Sequence, residues 1–141
     1  MNKNLEIMGS AAVQAHISML QKIISRMSNN SANCKNWTIT IVTAVAVLLI
    51  NQDINIWICV IPIMLFYLID CYYLGLERLC IKSQQNFLHK VSENNFADDL
   101  YTINELSDSC LQIKSTINAM LSFSTTPFYL IVALLFYLLM I

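Results

Sequence analysis

The chain has 141 residues, enough for one modest domain, of which 57% are hydrophobic and only 12% charged. Soluble domains run nearer about 45–50% apolar and about 25% charged. The charge shortage argues against a free-standing soluble protein and against disorder, which needs the opposite balance. With 8 basic and 9 acidic residues there is no basic field to hold nucleic acid.

Residues 1–36 are mostly polar and carry one helical stripe. Val13, Ile17, Leu20, Ile24 and Met27 follow a 4-3-4-3 spacing, broadened by Leu5, Met8, Ala12, Met19 and Ile23, which predicts an amphipathic helix. The Ser/Asn-rich stretch 28–33 is expected to end it. Residues 37–50 then hold no charge and only Thr38, Thr40 and Thr43 as polar side chains. After Asn51-Gln52-Asp53, residues 54–76 stay apolar apart from Asn55 and Asp70. So short a connection predicts a transmembrane helical hairpin over 37–76, because irregular backbone cannot face lipid.

Residues 77–126 return to mixed polarity. Leu74, Ile81, Leu88 and Val91 can share a face, Ser92-Glu93-Asn94-Asn95 breaks the helix, and Asp98-Asp99 reads as a solvated or capping pair. A second helix is predicted over 100–121, with Ile103, Leu106, Cys110, Ile113, Ile117 and Leu121 at helical spacing. Residues 127–141 are apolar to the end, with Thr126 placed as N-cap and Pro127 at the first helical position. The predicted class is all-α: an integral membrane protein with a hairpin, a C-terminal span and amphipathic cytoplasmic helices.

The first and third runs cover only roughly 21–23 Å of a hydrocarbon core about 30 Å thick. They are expected to recruit Asn36, Thr126 and their neighbours, thin the bilayer or oligomerise. Lys3, Lys22, Arg26 and Lys35 precede the first run, and Arg78, Lys82, Lys90 and Lys114 lie between the second and third. All the basic residues thus fall on one side, which predicts a cytoplasmic N-terminus and an external C-terminus. Trp37, Trp57, Tyr72, Tyr73 and Tyr129 sit near span ends, where aromatic anchors are expected. The first 36 residues are too long and polar for a cleavable signal, so the first run is expected to act as an uncleaved anchor.

Asp70 is the residue most open to a functional reading. A carboxylate at the centre of a membrane helix costs about 2.5–3.5 kcal/mol on insertion scales, and Asp70 lies about 10 Å inside the cytoplasmic boundary. It is expected either to pair with Lys35 or to line a hydrated passage. Asn36, Thr40, Thr43, Val47 and Asn51 form a stripe of small and polar residues suited to close helix contact, or to a pore lining in an oligomer. Pro62 frees a backbone carbonyl within the second run. The stripes at Val13, Ile17, Leu20 and Ile24 and at Ile103, Leu106, Ile113 and Ile117 must meet each other or a partner protein.

The five cysteines, Cys34, Cys59, Cys71, Cys80 and Cys110, share no ligand spacing and read as free thiols. His16 and His89 have no second ligand at a helical spacing, so no metal site is expected. No nucleophile–base set, paired carboxylate or phosphate-binding glycine loop can be assembled. The sequence predicts neither an enzyme nor a cofactor.

Asn30, Ser31, Lys35 and Trp37, followed by Asp70, Tyr72, Tyr73, Leu74, Glu77 and Arg78, are similar to the hairpin pattern of a family of small bacterial inner-membrane proteins. Phe96 and Asp99, then Pro127-Phe128-Tyr129, resemble its later elements, so the likeness covers nearly the whole chain. Asn36, Cys71 and Gly75 depart from the pattern, and the basic run after Arg78 is thinned to Lys82. Such proteins resemble membrane effectors encoded beside retrons and other anti-phage systems. The resemblance implies a toxin-like protein, restrained by a soluble defence complex and released on infection to breach the membrane, with a passive anchor or assembly subunit as the alternative.

Overall fold

Two long helices frame the molecule: α1 (Ala11–Ile50, 40 residues) and α2 (Trp57–Ser92, 36 residues). The computed structural model describes residues 10–50 and 57–140. Leu5, Met8, the Asn51-Gln52-Asp53 turn, Ile141 and the side chains of Trp57 and Cys59 lie outside the described residues. At about 1.5 Å per residue α1 is about 60 Å long, roughly twice the apolar thickness of a bilayer.

Helices α1 and α2 pack antiparallel along a continuous seam. From α1 it takes Val13, His16, Leu20, Met27, Ser31, Cys34, Thr38, Val42 and Ala46, all buried. The steps of three, four or seven residues keep one face turned to the partner. This corrects the expectation that residues 28–33 end the first helix. Serine and asparagine cost only a few tenths of a kcal/mol in a helix, and Ser31 is part of the seam rather than a break in it. From α2 the seam takes Ile63, Asp70, Cys71, Leu79, Cys80, Ser83, Phe87 and Val91. Of the expected face of Leu74, Ile81, Leu88 and Val91, Val91 belongs to this seam, whereas Ile81 is exposed and the other two are half-buried. Small Cys and Ser side chains occupy the contact instead.

Helix α2 ends where the sequence predicts. Asn95 N donates to Lys90 O at 2.9 Å and Asn94 N to Val91 O at 3.2 Å, with Asn94 left-handed at φ 58°. That is a Schellman-type end, a conformation asparagine tolerates. The expected single helix over 100–121 is in fact two, α3 (Asn104–Ser107) and α4 (Ser109–Met120), with a short 3-10 turn (Ala97–Asp99) before them. The division has a local cause. Asp108 stands as N-cap of α4, its side chain accepting from Cys110 N at 2.9 Å and Leu111 N at 3.4 Å, a bond available only if the helix begins afresh there.

Helix α5 (Thr126–Met140) carries Pro127 in its first turn. Thr126 is not its N-cap: its hydroxyl donates back to Met120 O, and Tyr129 N donates to Thr125 O. Helices α4 and α5 run antiparallel to α2. Asn86 holds Glu105, Gly75 meets Thr116, Tyr67 meets Met120 and Phe66 meets Tyr129 in turn. No strand occurs among the described residues, and the fold is all-α.

The two ends of this bundle differ. At one, Val13, Phe87 and Val91 are covered by Ile17, Phe96 and Leu100. At the other, Val42, Ala46, Ile63, Tyr129 and Phe136 form the core, while Leu48, Ile61, Leu65, Leu130, Leu134 and Leu138 stand exposed around it. Within α2, Val60–Ser92 is long and apolar enough to cross a membrane, and the apolar Thr126–Leu138 stretch of α5 is shorter.

Candidate functional site

A polar knot ties α1 to α2 where the two ends of the bundle join. Asp70 is fully buried on α2, and Ser31 and Lys35 occupy successive turns of α1. The Ser31 hydroxyl donates to Asp70 Oδ1 in a short hydrogen bond, and Lys35 Nζ donates to Ser31 Oγ at 3.1 Å. Asp70 Oδ2 takes no hydrogen bond of good geometry; the Lys35 ammonium, 2.8 Å away, balances its charge. With its side chain 20% exposed against 0% for Asp70, Lys35 can lead its charge outward along its methylene stem. Of the two roles open to Asp70, pairing is the one this arrangement adopts.

Aromatic and thiol groups seal the knot. Tyr129 Oη donates to Phe66 O at 3.2 Å with Asp70 and Thr38 beside it, and the Tyr67 ring meets the Tyr129 ring at 5.3 Å. Tyr129 is therefore a buried part of the core and not the interfacial anchor expected from its place near a span end. Thr38 Oγ1 donates to Cys34 O at 2.7 Å. Cys34, Cys71 and Cys80 are buried free thiols, and Cys110 is an exposed one.

The threonine stripe points elsewhere. Asn36, Thr40, Thr43 and Val47 are exposed: the first two lie two residues past the seam positions Cys34 and Thr38, about 200° around the helix, and the last two lie one residue past Val42 and Ala46, about 100° around it. Packing within the chain is thus not their role. Thr40 Oγ1 is satisfied by Asn36 O at 2.9 Å, and Thr43 lines an open apolar groove of about 510 Å³ between α1 and α5.

The expected partner-binding stripes divide. Val13 and Leu20 are buried inside the bundle, with Ile17 and Ile24 half-buried beside them, so the first stripe is covered by the chain itself. Ile103 and Leu106 are half-buried, whereas Ile113 and Ile117 face outward.

A second polar group lies at the far end, where His16 and His89 line one cavity of about 340 Å³ with Lys90, Glu93, Asp99 and Glu105. Sequence separation alone did not bring these two histidines together. His16 stacks on Phe87 at 4.1 Å, and its Nδ1 accepts from Tyr101 N at 2.8 Å, holding Tyr101 in a left-handed conformation (φ 63°). Burial lowers the His16 pKa from its ordinary value, with Asp99 opposing. Asp99 also binds Lys90 Nζ at 2.6 Å, raising the lysine pKa, so the predicted solvated acidic pair is half a structural tie.

No cluster of three metal-ligating side chains occurs among the described residues. No protein-family model matches the chain, nor does any curated protein or solved structure.

Proposed function

We propose that the protein is a bacterial inner-membrane effector whose apolar end is embedded in the bilayer, held harmless by a soluble partner, and whose paired Lys35 and Asp70 are the buried charges that draw water in once that partner lets go. The observation that carries this reading is a fully buried carboxylate, balanced from a second helix, at the base of an end whose outer surface is apolar. Only 22% of the apolar stretch of α2 is buried inside the molecule, which suits a lipid-facing helix better than the core helix of a soluble protein. The three apolar segments, at 37–50, 57–76 and 126–140, then stand together in lipid with the basic residues on the cytoplasmic side.

In this mechanism a soluble defence complex restrains the cytoplasmic end, and its release on infection lets α1 and α2 part. Separating the pair leaves two uncompensated charges at membrane depth, a state costing several kcal/mol unless water follows them in. Copies then associate through the groove between α1 and α5 and the exposed Asn36–Thr40–Thr43 stripe, and the hydrated contact leaks ions. No catalysis, cofactor, metal or nucleic acid enters the scheme.

Expression without neighbouring genes, followed with a potential-sensitive dye, tests it. Depolarisation that Asp70→Asn abolishes while insertion is retained is the expected result. Unchanged potential and growth at verified insertion would overturn it. One observation favours the rival reading of a non-toxic anchor or assembly subunit: Ser31 and Lys35 meet the needs of Asp70 within a single chain. An anchor would tolerate Asp70→Asn with partner recruitment intact.

A further inference from the structure

Helix α4 is turned the wrong way round for a helix in water. Its inner face carries Ser115, whose hydroxyl donates to Gly75 O at 2.9 Å, Thr116, and the buried Ala119. Its outer face carries Ile113 (61% exposed) and Ile117 (55%) beside Lys114 and Asn118, leading to Leu121 (88%) and Phe123 (94%) in the turn that follows. Hydroxyl contacts toward protein, with large apolar side chains and one cation outward, are the polarity of a helix at a lipid boundary.

The turn between α4 and α5 has the bonding of backbone that must do without water. The carbonyls freed at the end of α4 are taken internally: Ala119 O by Thr125 Oγ1 (3.0 Å) and Ser122 N (3.0 Å), and Met120 O by Tyr67 Oη (2.8 Å) and Thr126 Oγ1. Ser122 O accepts from Thr126 N at 3.1 Å. Broken helices are tolerated at membrane depth when hydroxyls and neighbouring helices satisfy the freed groups in this way.

Charge agrees. No acidic residue occurs from Ser109 onward, and Lys114 is the single charge there. Arg78 reaches the same place from α2, its Nη2 donating to Ser122 Oγ at 2.8 Å. Cations at this level suit the anionic headgroups of an inner leaflet.

We propose that α4 and the 121–125 turn are seated in the boundary between headgroups and acyl chains of a phospholipid leaflet. The third crossing then begins near Ile113 and not at Thr126. This rests on the embedding of the apolar end, and the test separates the two. Bimane would be attached to Ile117→Cys, Phe123→Cys, Leu134→Cys and Asn94→Cys, each in the full chain with Cys59 and Cys110 replaced by serine. The host is phosphatidylethanolamine–phosphatidylglycerol vesicles containing an acyl-chain nitroxide lipid, with iodide as the aqueous quencher.

The proposal expects labels at 117 and 123 to lose fluorescence to the nitroxide lipid as the label at 134 does, while only the label at 94 is lost to iodide. Iodide quenching at 117 and 123 with lipid quenching at 134 overturns this inference alone. Iodide quenching at 134 as well overturns the embedding itself. Protection of 117 and 123 from both quenchers means that a second copy covers α4, and overturns the lipid assignment.

Discussion

The two ends of the α1–α2 hairpin are built from one helical rhythm but, on the proposed embedding, are held by different forces. At the His16 end, Val13, Leu20, Phe87 and Val91 are buried beneath a polar surface, so removal of apolar area from water holds the helices together. At the other end the exterior is as apolar as the core, and in lipid that driving force vanishes between helices. What remains there is close packing around Phe136 and Tyr129, the hydroxyl bonds of Tyr67, Tyr129 and Thr38, and the Lys35–Asp70 tie. Similar helix contacts therefore respond differently to mutation at the two ends.

The largest effect is expected where the two regimes join. Lys35→Met leaves Asp70 buried without a counter-charge and is expected to cost about 3–5 kcal/mol, read as a lowered midpoint in a denaturant titration of the detergent-solubilised protein. Lys35→Met with Asp70→Leu is expected to recover most of that loss. A double variant as weak as the single one would show that shape, not charge, holds this level.

Next come matched truncations at the two ends. Phe87→Ala removes a buried ring against His16 and Phe96 and is expected to cost about 3–5 kcal/mol. Leu134→Ala, on the exposed side of α5, is expected to change stability by less than about 0.5 kcal/mol. Equal losses at both positions would erase the distinction between the ends.

A smaller effect is expected at the α2–α4 crossing. A Cβ on Gly75 would lie 2.9 Å from Thr116 Cα and N, backbone that cannot swing aside. Gly75→Ala is expected to push α4 away and cost about 1–3 kcal/mol, with the Ser115–Gly75 bond lost. Faster hydrogen exchange across Ser109–Met120 checks it.

The smallest effect is pH-dependent and confined to the His16 end. Burial lowers the His16 pKa below its ordinary 6.5, so the unfolded chain binds the proton more readily. Stability is then fully present above about pH 6.5 and is lost as pH falls toward the lowered folded value. A protonated Nδ1 also cannot accept from Tyr101 N. His16→Gln is expected to flatten the dependence of the unfolding midpoint between roughly pH 7 and pH 5. An unaltered slope would place the titration elsewhere.

Much of the frame was legible from residue spacing. The stripe from Val13 to Met27 marks the helix face that is buried, and pairing with Lys35 is one of the two readings the sequence leaves open for Asp70. The misreadings share one cause, which is that local rules do not see across the bundle. Ser31 belongs to a breaker-rich stretch by composition but is fixed in α1 by a carboxylate from α2. The α2 seam escapes an apolar-periodicity search because Cys80 and Ser83 fill it. Gly75, a departure from the resembled pattern, has its reason in the approach of Thr116, which lies in a different helix. The stripe Ile113–Ile117–Leu121 has the spacing of a buried face, but spacing cannot say whether protein or lipid covers it. Asp108 was the overlooked signal: an aspartate between two serines is a ready N-cap, and it divides the expected long helix.

The embedding of the apolar end is tested most directly by washing cell membranes with alkaline carbonate after expression of the full chain. The account predicts that the protein stays with the lipid pellet and leaves it only in detergent. Recovery in the carbonate supernatant would contradict it, because the exposed leucines and isoleucines of α2 and α5 would then be facing water or another protein.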